Sequence, residues 1–166
     1  QIMQNFAIVG ASGLIGSCIV DEILQTTDNK ITLISRRSLG LSNSRIHEVI
    51  VDFTNQSALN EALKGIDAVF IAIGTTQKKM KGDLVSYRKV DYDIPVAVAQ
   101  ACVINNIPKL LLVSSVGADS SSSNFYLRLK GEVEDAIGKI PIPYVGIFQP
   151  SLLLGNRNEF RLGEKI

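Results

Sequence analysis

Ile8-Val9-Gly10-Ala11-Ser12-Gly13-Leu14-Ile15-Gly16 decides how this chain is read. The apolar run Phe6-Ala7-Ile8-Val9 leads into it. A helical pattern over 14–26 follows, with Ile15, Ile19 and Ile23 on one face. The stretch is therefore a strand, a glycine-rich turn and the start of a helix. The first turn of a helix carries unpaired backbone N–H groups and a partial positive charge, which together hold a pyrophosphate. Gly10 makes the tight turn, Gly13 lets the backbone approach the phosphates, and Gly16 lets the helix pack on the strand. Ser12, Leu14 and Ile15 complete the loop and helix start as binding positions. The spacing is G-x-x-G-x-x-G rather than G-x-G-x-x-G. Glycines at such a turn also serve purely steric needs, but the strand before and the helix after favour the phosphate reading.

The 166 residues are 46% hydrophobic and 20% charged, which suits one globular domain over 1–166 with a substantial core. A net charge of +1 offers no field for nucleic acid or anionic lipid. The apolar runs are far shorter than a membrane span. Neither nucleic acid nor a membrane is expected as a partner. No basic segment followed by an apolar stretch opens the chain, so no signal peptide and a cytoplasmic location are expected. Cys18 and Cys102 fall in helical patterns and read as buried free thiols rather than a disulfide or metal pair. His47 alone cannot build a metal site, so no metal is expected.

Short β-branched runs alternate with helical patterns along the rest of the chain. Strands are expected at 6–9, 31–35, 46–51, 68–73, 110–114 and 144–148. Helices are expected at 14–26, 56–63, 83–105 and 124–137. Pro95 could kink the long region 83–105 or start a second segment. That region's apolar face would serve a homodimer or internal packing, and the pattern leaves both open. The serine run Ser120–Ser123 reads as a loop. Repeated strand–helix–strand units predict an α/β fold, a doubly wound parallel sheet with helices on both faces. In such sheets a ligand lies beyond the carboxyl ends of the strands, and the candidate chemistry clusters there.

Ser35-Arg36-Arg37 stands at the end of the second strand, where an NAD-binding fold usually carries an acid for the ribose 2′-hydroxyl. Two guanidinium groups and a hydroxyl suit a 2′-phosphate instead, because arginine can donate two parallel hydrogen bonds to it. A carboxylate would repel that phosphate, so its absence favours NADP(H) over NAD. Alone, the arginines would be two solvated side chains on a loop. The glycine turn upstream gives them their meaning. Asp52, followed by Phe53, can accept from the adenine amino group or can cap a turn. Ile73-Gly74-Thr75 ends the fourth strand, where Gly74 either lets the backbone run beside the cofactor or turns the chain.

Tyr126 and Lys130 lie one turn apart on a predicted helix, hence on one face. Ser114 and Ser115 end the strand before it. An ammonium near a phenol, with a positive oxidised nicotinamide, favours phenolate. The tyrosine could then exchange a proton with a substrate oxygen while hydride moves at the nicotinamide. A serine hydroxyl would hold that oxygen, and the lysine would also bind the ribose. Y-x-x-x-K is otherwise a common exposed helix face. Its position after the fifth strand and the paired serines give it weight.

These residues resemble an atypical short-chain dehydrogenase/reductase, in the branch of the HIV Tat-interactive oxidoreductase-like proteins and their bacterial relatives. The likeness is carried by the glycine loop at 10–16, Ser35-Arg36-Arg37, Ile73-Gly74-Thr75-Thr76, Val113-Ser114-Ser115-Val116-Gly117-Ala118, the block 124–134 and Pro150-Ser151-Leu152-Leu153-Leu154-Gly155. It implies a Rossmann NAD(P)-binding fold, NADPH as cofactor, and Ser115, Tyr126 and Lys130 as a catalytic set, with Ser114 the less favoured serine. Ser114, Tyr126 and Lys130 are also expected to touch the cofactor. Relatives usually run further after the sixth strand, and that part helps form the substrate pocket, so the pocket is expected to be incomplete here.

Three functions fit to different degrees. An NADPH-dependent oxidoreductase on a small carbonyl or hydroxyl substrate needs the Ser–Tyr–Lys set, which is present. An NADP(H)-sensing regulator would not need it. A nucleotide-sugar epimerase or dehydratase normally needs a larger substrate domain. The first is the expectation.

Overall fold

The computed structural model describes residues 2–74 and 82–151. Six strands, β1 (Asn5–Val9), β2 (Lys30–Ser35), β3 (Ile46–Ile50), β4 (Ala68–Ile71), β5 (Lys109–Val113) and β6 (Tyr144–Phe148), form one sheet in the order β3-β2-β1-β4-β5-β6. Every pairing is parallel. The helices among the described residues are α1 (Leu14–Thr26), α2 (Gln56–Ala62), α3 (Leu84–Arg88), α4 (Ile94–Ile104) and α5 (Phe125–Gly138). This is the doubly wound Rossmann-like fold that the strand–helix alternation predicts. Strand order reverses direction between β1 and β4, and the crevice above that junction is where such folds bind ligands.

The alternation of side chains across each strand assigns the two layers. Ile8, Ile31 and Leu33 meet Val20 and Ile23 of α1 on one face. Ala7, Val9, Ile34, Val69, Ile71, Leu110 and Leu112 meet α2, α4 and α5 on the other, through residues such as Leu59, Val98, Cys102 and Val133. Fully burying such a side chain stabilises the fold by roughly 1.5–3 kcal/mol. The apolar side of α4 is thus used inside the molecule. Phe70 of β4 is half-buried and stacks edge-on against Phe6 at 5.9 Å.

Two expected elements differ. The fourth strand ends at Ile71, not Ile73. Ala72 N–H still donates to the Val9 carbonyl at 2.8 Å, but β1 turns away at Gly10 (φ 98°), so its pairing with β4 ends at Ile71. The region 83–105 is α3 and α4 joined through a π-helical turn, Lys89–Asp93.

Candidate cofactor site and active site

The glycine turn is built by close approach. A Cβ on Gly10 would lie 2.5 Å from the Ala72 carbonyl oxygen, and one on Gly16 would lie 2.0 Å from the Gly10 carbonyl oxygen. Gly10 therefore lets β1 turn tightly against the end of β4, and Gly16 seats α1 on the loop. Gly13 differs, because a Cβ there would meet nothing nearer than 3.5 Å. It is exposed and forms the N-cap of α1, with no side chain capping the helix and no acid in the first turn. The first-turn N–H groups, those of Leu14 and Ile15 among them, have no acceptor within the helix. They make an open end with partial positive charge, flanked by the exposed Ser12.

Ser35 closes a small turn at the end of β2, its hydroxyl donating to the Arg37 carbonyl at 2.8 Å. Arg36 and Arg37 are exposed, and neither has an ion-pair partner among the described residues. Asp52 accepts from the Thr54 hydroxyl at 2.7 Å and its N–H at 2.9 Å. These bonds hold its carboxyl below the usual range and give it the turn-capping role. The Phe53 side chain is 8% exposed and belongs to the core. Ile73 packs against the same core, and Gly74 is exposed. Thr75 lies outside the described residues.

The catalytic candidates come from β5 and α5. Asn124 caps α5, its side chain accepting from Leu127 N–H at 3.1 Å. A Cβ on Gly131 would lie 2.2 Å from the Ser120 nitrogen, so the chain after β5 presses directly on the helix. Asp119 N–H donates to the Leu127 carbonyl at 3.0 Å. This clamp ties the segment carrying Ser114 and Ser115 to the helix carrying Tyr126 and Lys130. Ser115 is half-buried and its hydroxyl points back to the Val116 carbonyl at 3.3 Å. Ser114 is 6% exposed, and its hydroxyl has no hydrogen-bond partner among the described residues.

Lys130 lies with its Nζ 5.6 Å from the centre of the half-buried Tyr126 ring. The same Nζ is 3.2 Å from Oδ1 of Asp91, and the two side chains are 9% and 0% exposed. Sequence reasoning missed Asp91 and Gly131. Proline inside a helical run, four residues after Asp91, is the signal that points to the first. The cysteine expectation holds for Cys102, which is buried, its thiol pushed up to about 12 by desolvation. It fails for Cys18, which is exposed because it faces away from the strands that Val20 and Ile23 cover.

An uncapped helix end behind a tight glycine turn, two exposed arginines without ion-pair partners among the described residues and a buried serine hydroxyl without a partner among them fit a dinucleotide. Comparison with known proteins agrees. A family model described as NAD(P)H-binding matches residues 10–165. The rat protein HTATIP2 is 36% identical over 168 residues, spanning 98% of this chain and 69% of the rat protein. The Candida albicans protein "FMP52, mitochondrial" is 36% identical over 162 residues, spanning 95% of this chain and 70% of its own length. A short-chain dehydrogenase/reductase from Veillonella parvula, solved with NADP, superposes with a TM-score of 0.72 at 17% identity, over 95% of this chain and 73% of that one. Other solved structures of this fold hold NAD. The chain belongs to the NAD(P)H-binding family and is a relative of HTATIP2, with the fold that the short-chain dehydrogenases/reductases share. The cytoplasmic expectation is corrected by the fungal relatives, several of which are named mitochondrial proteins.

Proposed function

We propose that this protein is an NADPH-dependent oxidoreductase that interconverts a small carbonyl compound and its alcohol. The observation that carries the reading is the pairing of Tyr126 and Lys130 on one face of α5, next to the clamped segment that bears Ser114 and Ser115. The open N-terminus of α1 holds the pyrophosphate through backbone N–H groups. Arg36 and Arg37 grip the 2′-phosphate with paired N–H donors. When bound there, NADPH would supply the hydride that the carbonyl carbon takes up. Ser115 donates a hydrogen bond to the carbonyl oxygen and orients it. Tyr126 gives that oxygen its phenolic proton, so the product leaves as the neutral alcohol. Lys130 stabilises the phenolate left behind through its positive charge and reaches the ribose hydroxyls.

Calorimetric titration of the purified chain with NADPH and with NADH tests the first half. An assay of NADPH oxidation with 9,10-phenanthrenequinone as a general carbonyl probe tests the second. Tight NADPH binding, weak NADH binding and turnover support the reading. Binding without turnover of the probe assigns a cofactor-sensing protein instead. No binding of either nucleotide overturns the proposal.

A further inference from the structure

We infer that Glu48 is a positioning residue for Arg36 and Arg37: it latches the turn that carries them to the edge strand β3, and so sharpens the preference for a 2′-phosphate. The inference rests on the reading of these arginines as the grip on that phosphate.

β2 and β3 are parallel, so the chain that leaves β2 must cross back to the start of β3. A helix usually makes such a crossing. Here residues 36–45 make it without one, so side chains must fix a path that no helical hydrogen bonds hold. The Ser35 hydroxyl donates to the Arg37 carbonyl at 2.8 Å. Directly after the arginines, the Ser38 hydroxyl donates to Oε2 of Glu48 at 2.7 Å, and the Leu39 N–H donates to Oε1 at 2.7 Å. The Ser38 oxygen also accepts from the Gly40 N–H at 3.2 Å. Leu39 is half-buried and packs against the apolar layer under α1. The far end of the crossing is held separately. The Arg45 guanidinium donates to the carbonyls of Leu24, at 2.6 Å, and Thr27, at the end of α1.

Glu48 stands opposite Leu33 in the strand register and shares its face of the sheet. Leu33 belongs to the apolar layer there, so a carboxylate on that face needs donors. The crossing supplies one to each oxygen. These bonds, that of the Ser38 hydroxyl foremost, hold the Glu48 carboxyl below its usual range. It is therefore ionised at neutral pH, and an ionised acceptor makes the bonds strong. So engaged, the carboxylate pairs with neither arginine. Both are exposed, without ion-pair partners among the described residues. The latch thus holds the backbone beneath the guanidinium groups and leaves the groups themselves for a phosphate. A turn ordered beforehand need not be ordered by the ligand, which improves affinity. NADH has no 2′-phosphate and draws nothing from the latch.

The test is calorimetric titration of variants with NADPH and NADH, and the sign of the effect is diagnostic. A carboxylate near a phosphate repels it through space, so removing the charge alone would tighten NADPH. Loss of the latch would weaken it. Glu48→Ala is expected to lower NADPH affinity about 3–10-fold, the scale of one or two side chains that the ligand must now order, with NADH unchanged. Glu48→Gln keeps an oxygen for the Leu39 N–H and is expected to bind NADPH at least as tightly as the parent. In the Arg36→Ala/Arg37→Ala background, Glu48→Ala is expected to add nothing. NADPH affinity unmoved or raised in Glu48→Ala overturns the inference. So does an equal loss for NADH, a Glu48→Gln as weak as Glu48→Ala, or a loss that persists without the arginines. An arginine pair whose removal leaves NADPH affinity unchanged overturns the 2′-phosphate reading instead. If Glu48→Ala does not fold, Ser38→Ala replaces it, since it removes one of the two bonds from an exposed residue. NADPH affinity unmoved in folded Ser38→Ala then overturns the inference.

Discussion

A single methyl group on Gly16 would sit 2.0 Å from the carbonyl oxygen of Gly10. The first turn of α1 therefore rests on the backbone of the loop that precedes it. Gly16→Ala must push the helix off its loop, and overpacking of this kind costs about 1–3 kcal/mol. Gly13→Ala meets nothing closer than 3.5 Å and should change stability by under about 1 kcal/mol. It should still weaken NADPH, because its new methyl points where phosphate would approach. Urea unfolding and cofactor titration of both variants check the contrast. Equal stabilities for the two would contradict the seating described for Gly16.

Arg36 and Arg37 are exposed, without ion-pair partners among the described residues. Replacing both by alanine should leave the fold intact. NADPH affinity should fall about 10–100-fold, the scale of one or two lost charged hydrogen bonds. NADH affinity should hardly change. Parallel losses for both nucleotides would mean that the arginines do not meet the 2′-phosphate.

Tyr126→Phe removes only a hydroxyl from a half-buried ring. Turnover of the carbonyl probe should drop about 10²–10⁴-fold, the usual contribution of a general acid, with NADPH affinity nearly unchanged. Full activity in this variant would remove Tyr126 from the mechanism.

Acid stability should follow four surface carboxylates. The Thr54 hydroxyl holds Asp52 below its ordinary value of 3.8. The Ser86 hydroxyl does the same at Asp83, and that of Ser121 at Asp119. Glu48 is lowered from 4.5, chiefly by the Ser38 hydroxyl. A lowered folded value means that the contribution is complete above the unfolded value and is lost as pH falls through the folded one. The melting temperature should therefore be level from neutrality to about pH 5 and decline below about pH 4. A decline that begins near neutrality would assign the acid response to a different group.

The two cysteines should separate cleanly. Cys18 is exposed and Cys102 is buried, with the latter's thiol pushed up to about 12. A disulfide reagent at neutral pH should label Cys18 promptly and Cys102 only after unfolding. Rapid native labelling of Cys102 would show that α4 is not seated as described.

The sequence by itself determined what depends on neighbours along the chain. A β-branched run, a glycine turn and an amphipathic helix at 6–26 define one strand-to-helix unit locally, and its repetition defines the parallel sheet. The same logic places Tyr126 and Lys130 on one face, since that follows from helical spacing alone. The tertiary structure decided what depends on residues distant in sequence. Cys18 sits in the same helix as Ile23, and only the docking of α1 on the sheet shows that it faces outward. Gly131 looks like an ordinary helical glycine until the chain at Asp119 and Ser120 crosses it. Asp91 and Lys130 are 39 positions apart, in separate helices, and nothing in local periodicity ties them together. Their pairing comes from the contact of the π-helical turn Lys89–Asp93 with α5. Both side chains are buried where that turn meets α5, at 9% and 0% exposure.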